Sequence, residues 1–103
     1  MRMLERSIEL RLVRGLSVID RRISVMKFTP RGRVGYQDRI VLLPGGIALF
    51  VELKRPGETL RKLQEHTREE IQKLGFVVVV ADTNDRVDAF LGLVKHVIDG
   101  GPL

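Results

Sequence analysis

Cysteine is absent from this 103-residue chain, so neither disulfide staples nor thiolate zinc sites are available to it. The two histidines, His66 and His96, stand too far apart for a local metal-binding pair. Any metal would therefore be a hard cation held by oxygen. Long apolar runs are also missing: no stretch approaches the roughly 20 consecutive residues needed to span a bilayer, and no membrane association is expected. The first 16 residues are interrupted by Arg2, Glu5, Arg6, Glu9, Arg11 and Arg14, unlike the apolar core of a secretory leader, and a cytoplasmic location is expected.

What is present suits one domain over residues 1–103, with 44% hydrophobic and 30% charged residues. The net charge of +5 is unevenly placed. Residues 1–39 hold ten Lys and Arg against four Asp and Glu, whereas residues 40–103 hold eight against nine. A local basic surface of this kind commonly marks a polyanion-binding face, although it can also serve solubility or attract membrane phosphates.

Periodicity gives the element order αβββαβα. Leu4, Ile8, Leu12 and Leu16 recur at helical spacing, with the helix expected to close near Gly15 or Ser17. Residues Ile23 to Phe28 read as a strand running into a basic loop, Thr29-Pro30-Arg31-Gly32-Arg33, a candidate phosphate contact. Arg39–Leu43 and Ile47–Leu53 flank Pro44-Gly45-Gly46 and read as an antiparallel hairpin, apolar on both faces and so expected to be central and covered. Thr59 is a candidate cap for a second helix carrying Leu60, Leu63, Thr67, Ile71 and Leu74, with Gly75 at its end. Phe76–Ala81 reads as an interior strand, and Val87, Phe90, Leu91, Val94 and Ile98 mark the last helix. A mixed sheet flanked by helices is the natural packing of this order.

Candidate chemistry gathers on the hairpin. Strand alternation points Glu52 and Lys54 to one face and Leu53 to the other. If the turn is the three residues 44–46, Leu43 pairs with Ile47, and counting back sets Asp38 opposite Glu52 on that face; a two-residue turn would reverse Asp38. Two carboxylates brought together repel unless one takes a proton or a divalent cation bridges them, and magnesium suits such a pair. The cation could polarise a phosphodiester and lower the pKa of a bound water, while Lys54 orients that water or offsets the charge growing on phosphorus. The plainer alternative is that Asp38 and Glu52 are solvated strand ends. In the first helix Glu5 falls inside the apolar stripe, where it would reach the cation or its water shell, with Glu9 one turn on as a lesser candidate; surface ion pairing is the alternative for both. Gln64 could hydrogen-bond across the site, and the histidines suit surface roles better than ligation.

Taken in order, these segments resemble the VRR-NUC nucleases of the PD-(D/E)xK superfamily. Glu5-x-x-Ile8-Glu9-x-x-Leu12 looks like the family's acidic helix, Gly35-Tyr36-Gln37-Asp38 like its Gly-x-Pro-Asp, and Val51-Glu52-Leu53-Lys54 like its Glu-x-Lys strand. Leu63-Gln64 followed by Lys73-Leu74-Gly75-Phe76 resembles its glutamine helix and next strand. Gln37 departs from the pattern, standing where the family has proline, which bears on the loop leading to Asp38 more than on ligation. The resemblance implies an αβββαβ(α) nuclease core and dependence on Mg2+ or Mn2+. Asp38, Glu52 and the Leu53 backbone carbonyl would ligate the metal, Lys54 would be catalytic, and Glu5 would complete the site. It further implies a phage-type enzyme acting in the host cytoplasm, a homodimer resolving branched DNA such as Holliday junctions. Arg31 and Arg33, with the neighbouring Lys27 and Arg55, would hold phosphates. A noncatalytic nucleic-acid-binding module, or a nuclease acting on ordinary duplex or flap DNA, are the alternatives.

Overall fold

A computed structural model describes residues 2–28, 38–53 and 62–103, without the side chains of residues 2–5, 28, 38 and 62–64. The expected basic loop with Arg31 and Arg33, the segment Gly35–Gln37, and Lys54, Arg55, Thr59 and Leu60 lie outside the described residues, as do the side chains of Leu4 and Leu63. The elements run α1 (Arg2–Ile19), β1 (Ser24–Phe28), β2 (Asp38–Leu43), β3 (Ile47–Leu53), α2 (Lys62–Lys73), β4 (Val77–Ala81) and α3 (Asn84–Ile98), in the order read from the sequence. Strands β1, β2 and β3 form an antiparallel meander, and β4 joins β3 in parallel, giving one mixed sheet in the order β1-β2-β3-β4.

Strand alternation divides the sheet into two unlike faces. Val41 and Leu43 of β2, with Leu49, Val51 and Leu53 of β3, are buried against Ile8, Leu12 and Leu16 of α1 and Val87, Phe90 and Val94 of α3. Burial of this apolar cluster, at roughly 25 cal/mol per Å² removed from water, is the main force holding the layers together. The opposite face carries Ile40, Ala48, Phe50 and Glu52, and residues of α2 cover part of it: Thr67, Arg68 and Ile71 line a small cavity with Phe50, Glu52 and Val78. Phe50 also meets Phe76 edge-on, with ring centroids 5.5 Å apart.

Four expectations need correction. The first helix does not stop near Gly15 or Ser17 but continues to Ile19. Gly15 is there because α1 crosses α3 closely: a Cβ at that position would run into the Leu91 side chain. The hairpin is central but not covered on both sides, since Leu42 on the α2 face is left 37% exposed. The valine-rich β4 is not interior; among the described residues it is an edge strand paired only with β3, and Val77–Val80 are half-buried. Leu74 does not extend the apolar face of α2. It sits past the last helical residue and is exposed, while Gly75 (φ +94°) closes the helix, its N–H donating to the Gln72 carbonyl and that of Phe76 to the Ile71 carbonyl.

Connections fix the direction of each element. Asp20 ends α1 by turning the chain: its carboxylate accepts from the Arg22 backbone N–H and guanidinium, and its carbonyl accepts from Ile23. This short turn ties the end of α1 to Ser24, whose partner Leu42 lies at the hairpin-turn end of the sheet. The beginning of α1 therefore projects toward the opposite end, where β2 starts at Asp38 and β3 finishes at Leu53. Because β4 runs parallel to β3, it too finishes there, and α3 begins at that end with Thr83 as cap, its hydroxyl accepting from the Arg86 N–H at 3.1 Å.

Gly15→Leu is expected to lower stability by about 1–3 kcal/mol through overpacking against α3. Leu91→Ala in the same chain should restore part of it, as read by the midpoint of urea unfolding. The Arg22 contacts hold the Asp20 carboxyl down from its ordinary 3.8 to about 2. Its contribution is thus complete above the ordinary value and disappears as pH falls through about 2. The stability gap between the wild type and Asp20→Asn should close as pH is lowered from about 5 to about 2 in a series of thermal melts.

Candidate active site

Of the two turn lengths open to the hairpin, the structure has the three-residue one. Leu43 pairs with Ile47, and Gly45 and Gly46, at φ +92° and +79°, take backbone conformations that residues with a Cβ rarely adopt. From that fixed point the register runs back without a bulge to Asp38 opposite Glu52. The two acidic residues thus occupy facing positions at the end of the sheet where α1 and α3 begin. The Glu52 side chain is 6% exposed, among Phe50, Thr67, Arg68 and Val78. The carboxylate-bearing end of β3 is therefore not a solvated strand end. Keeping a carboxylate there requires partners that stabilise its charge, or a raised proton affinity.

The Asp38 side chain lies outside the described residues, as do the Glu5 and Gln64 side chains and the whole of Lys54. Backbone placement still locates three of the four. Asp38 is in register with Glu52. Gln64 lies in α2 one turn before Arg68, and α2 must carry the chain from the Glu52 end of β3 back to the start of β4 opposite Leu49, so its first turn lies at the Glu52 end. Glu5 lies in α1 one turn before Glu9, about 6 Å further toward that same end.

Glu9 is engaged. Its Oε1 pairs with the Arg39 guanidinium at 2.8 Å, with the Arg39 side chain only 4% exposed. Arg39 alternates with Asp38 along β2 and so faces α1, on the opposite side of the sheet from Glu52. A carboxylate on α1 and one on β3 can therefore meet only around the end of the sheet, where Glu5 is better placed than Glu9. The ion pair holds the first half of α1 to the start of β2, immediately beside Asp38.

Arg39, Thr67, Arg68 and Asp82 did not stand out in the sequence. Arg39 had a readable signal: alternation puts it on the face of Val41 and Leu43, where a cation needs an acidic partner from the covering helix. Asp82 follows β4 directly at the same end of the sheet; its Oδ1 is buried and 3.3 Å from the Arg86 Nε. Lys27 is exposed, and His66 pairs on the surface with Glu70 at 2.7 Å. No cluster of three or more His, Cys, Asp or Glu side chains that could hold a metal occurs among the described residues. The residues that the register sets opposite each other, Asp38 and Glu52, are of an oxygen-donor type that suits a hard divalent cation.

The chain is 48% identical over 61 residues to "Putative nuclease p44" of Acyrthosiphon pisum secondary endosymbiont phage 1. That match takes in 57% of this chain and 63% of the phage protein, so the chain spans less than two thirds of its relative's length. No family model and no solved structure matches.

The Glu9–Arg39 pair should matter more to folding than the exposed bidentate pair of Arg11 with Asp88, at 2.8 Å. Glu9→Gln is expected to cost about 1–3 kcal/mol, because a charge-assisted contact to a buried guanidinium is lost. Asp88→Asn should leave the urea midpoint nearly unchanged at neutral pH.

Proposed function

We propose that the chain is a metal-dependent nuclease that hydrolyses DNA phosphodiester bonds, with Asp38, Glu52 and Lys54 at its centre. One observation carries the reading: the β2–β3 register sets Asp38 opposite Glu52, with the Glu52 carboxylate buried at the end of its strand. The match to a phage protein described as a nuclease supports the same class of chemistry, and the unequal charge distribution supports a polyanionic substrate.

Asp38, Glu52 and the Leu53 carbonyl would hold Mg2+ or Mn2+, which supplies Lewis-acid polarisation of the phosphodiester and a water of lowered pKa. The carboxylates fix that charge at one end of the sheet, and burial of Glu52 between β3 and α2 limits its alternative orientations. Lys54, the residue after Leu53, offsets negative charge as it grows on the phosphoryl oxygens or orients the attacking water. In the hydrolysis a water oxygen would form its bond to phosphorus as the bond to the leaving oxygen breaks, with the water's proton passing to solvent and the leaving oxygen taking a proton from solvent. Glu5, in the first turns of α1, and Gln64, in the first turn of α2, stand at the same end of the sheet and would complete the site.

The αβββαβ order, the mixed sheet with helices on both faces and the ordered motifs support placement among the VRR-NUC nucleases of the PD-(D/E)xK superfamily. On that placement we propose branched DNA as the preferred substrate and a homodimer as the working form, cutting opposed strands in the host cytoplasm, with Arg31, Arg33, Lys27 and Arg55 as phosphate contacts.

The test is cleavage of labelled four-way junction and matched linear duplex in Mg2+, Mn2+ or chelator. Metal-dependent cutting is expected, lost in Glu52→Gln, with DNA binding retained. Lys54→Ala should likewise abolish turnover while binding stays within several-fold, since one phosphate contact among many is a small share of the affinity. Binding without cleavage of any DNA form by the wild type would replace the nuclease with a noncatalytic nucleic-acid module.

A further inference from the structure

The outward face of α1 carries a feature the proposed active site does not use. Its two acids, Glu5 and Glu9, fall on or beside the helical stripe of Ile8, Leu12 and Leu16 that faces the sheet. Arg6, Ser7, Leu10, Arg11 and Arg14 lie on the opposite arc and line an open groove of about 510 Å³. Charge is thus sorted by face, with no acid of α1 on the outer arc. Arg11 is neutralised: both Asp88 oxygens accept from it at 2.8 Å, which depresses the Asp88 carboxyl and raises the guanidinium. Arg6 and Arg14 are exposed and have no ion-pair partner among the described residues, and the same holds for Arg21 in the turn that ends the helix.

Two turns of helix separate Arg6 from Arg14, about 12 Å along the axis. Each strand of a duplex presents a phosphate about every 3.4 Å of axis, so the two guanidiniums reach phosphates several nucleotides apart. Ser7 adds a hydroxyl donor between them, and the Leu10 side chain, 40% exposed, gives the sugar edge an apolar surface. Arg6 lies in the first half of α1, near the sheet end that holds Asp38 and Glu52, and Arg14 lies two turns away from it.

We infer that Arg6 and Arg14 on the outer face of α1 form a second phosphate-binding track, which grips the backbone of the DNA leading away from the cleavage site. This rests on the proposed nuclease function. An arginine fork suits phosphate oxygens in any sequence context, so the track contributes affinity and direction without base preference. Exposed guanidiniums with no protein partner lose little hydration or intramolecular contact when they engage phosphate.

The test measures binding of a labelled duplex by fluorescence anisotropy in chelator over a range of salt, for wild type, Arg6→Gln/Arg14→Gln and Arg6→Lys/Arg14→Lys. Cleavage of the same duplex and of a four-way junction is followed in Mn2+. Losing two phosphate contacts should weaken binding on the order of tenfold or more at 0.1 M salt and flatten the log–log salt slope by about 1.8, with the lysine pair restoring most of the slope. A glutamine variant with unchanged affinity and slope, in a wild type that cleaves, overturns the track and leaves the nuclease intact. A wild type that cleaves no DNA form overturns the nuclease reading instead. Binding of the arginine face to vesicles of anionic phospholipid, with DNA affinity untouched by the substitutions, also overturns the inference, making the groove a membrane contact. Because both arginines are exposed and make no ion pair among the described residues, the variants should melt at the wild-type temperature.

Discussion

The β2–β3 register is the constraint on which the rest depends. Side chains alternate across a strand, so one residue more or fewer in the turn at Pro44-Gly45-Gly46 would move Asp38 to the α1 face and separate it from Glu52. The same slip would bring Arg39 out from under α1 and turn Val41 and Leu43 away from the core. The apolar core and the register that sets Asp38 opposite Glu52 are therefore fixed by one local geometry, which two glycines at positive φ make accessible. Packing against α1 and α3 then enforces it, because any other register buries the wrong side chains.

Around this hairpin the topology collects polar groups at one end of the sheet. The parallel pairing of β3 with β4 brings Leu53 and Ala81 to the same end, and the short Asp20 turn points the beginning of α1 there as well. Asp82, the capped start of α3 and the Glu9–Arg39 pair all lie at that end. The far end, with the hairpin turn and the start of β1, carries the surface pairs Asp20–Arg22 and Lys95–Asp99 instead. Open α/β sheets commonly bind ligands outside the carboxyl ends of their strands, which is where β3 and β4 finish.

Much of this was legible from residue patterns. The element order follows from apolar periodicity and from glycine and proline as punctuation, whereas the choice between a two- and a three-residue turn, and with it the facing of Asp38 and Glu52, is made by the pairing of Leu43 with Ile47. Other features share their local signal with something else. A run of valines looks the same in an edge strand as in an interior one, and pairing partners, not propensity, make β4 an edge. Gly15 in a helix reads as a stop, yet it serves a close crossing with Leu91, which only the packing of α1 on α3 reveals. Arg39 stands at the head of an apolar strand, and its partner Glu9 is thirty positions away, so alternation gives its face but not its partner. The roles proposed for Glu5 and Gln64 rest on sequence pattern and backbone placement, and that proposed for Lys54 rests on sequence pattern alone.

The proposed site requires that Asp38 and Glu52, neighbours by register, share one divalent cation. A calorimetric titration of Mn2+ into wild type, Asp38→Asn, Glu52→Gln and the double variant addresses that sharing without reference to any DNA. The prediction is a strongly non-additive cycle, in which either single substitution removes most of the affinity and the second costs little more. Losses that simply add, or a wild type with no affinity for Mn2+, would contradict it.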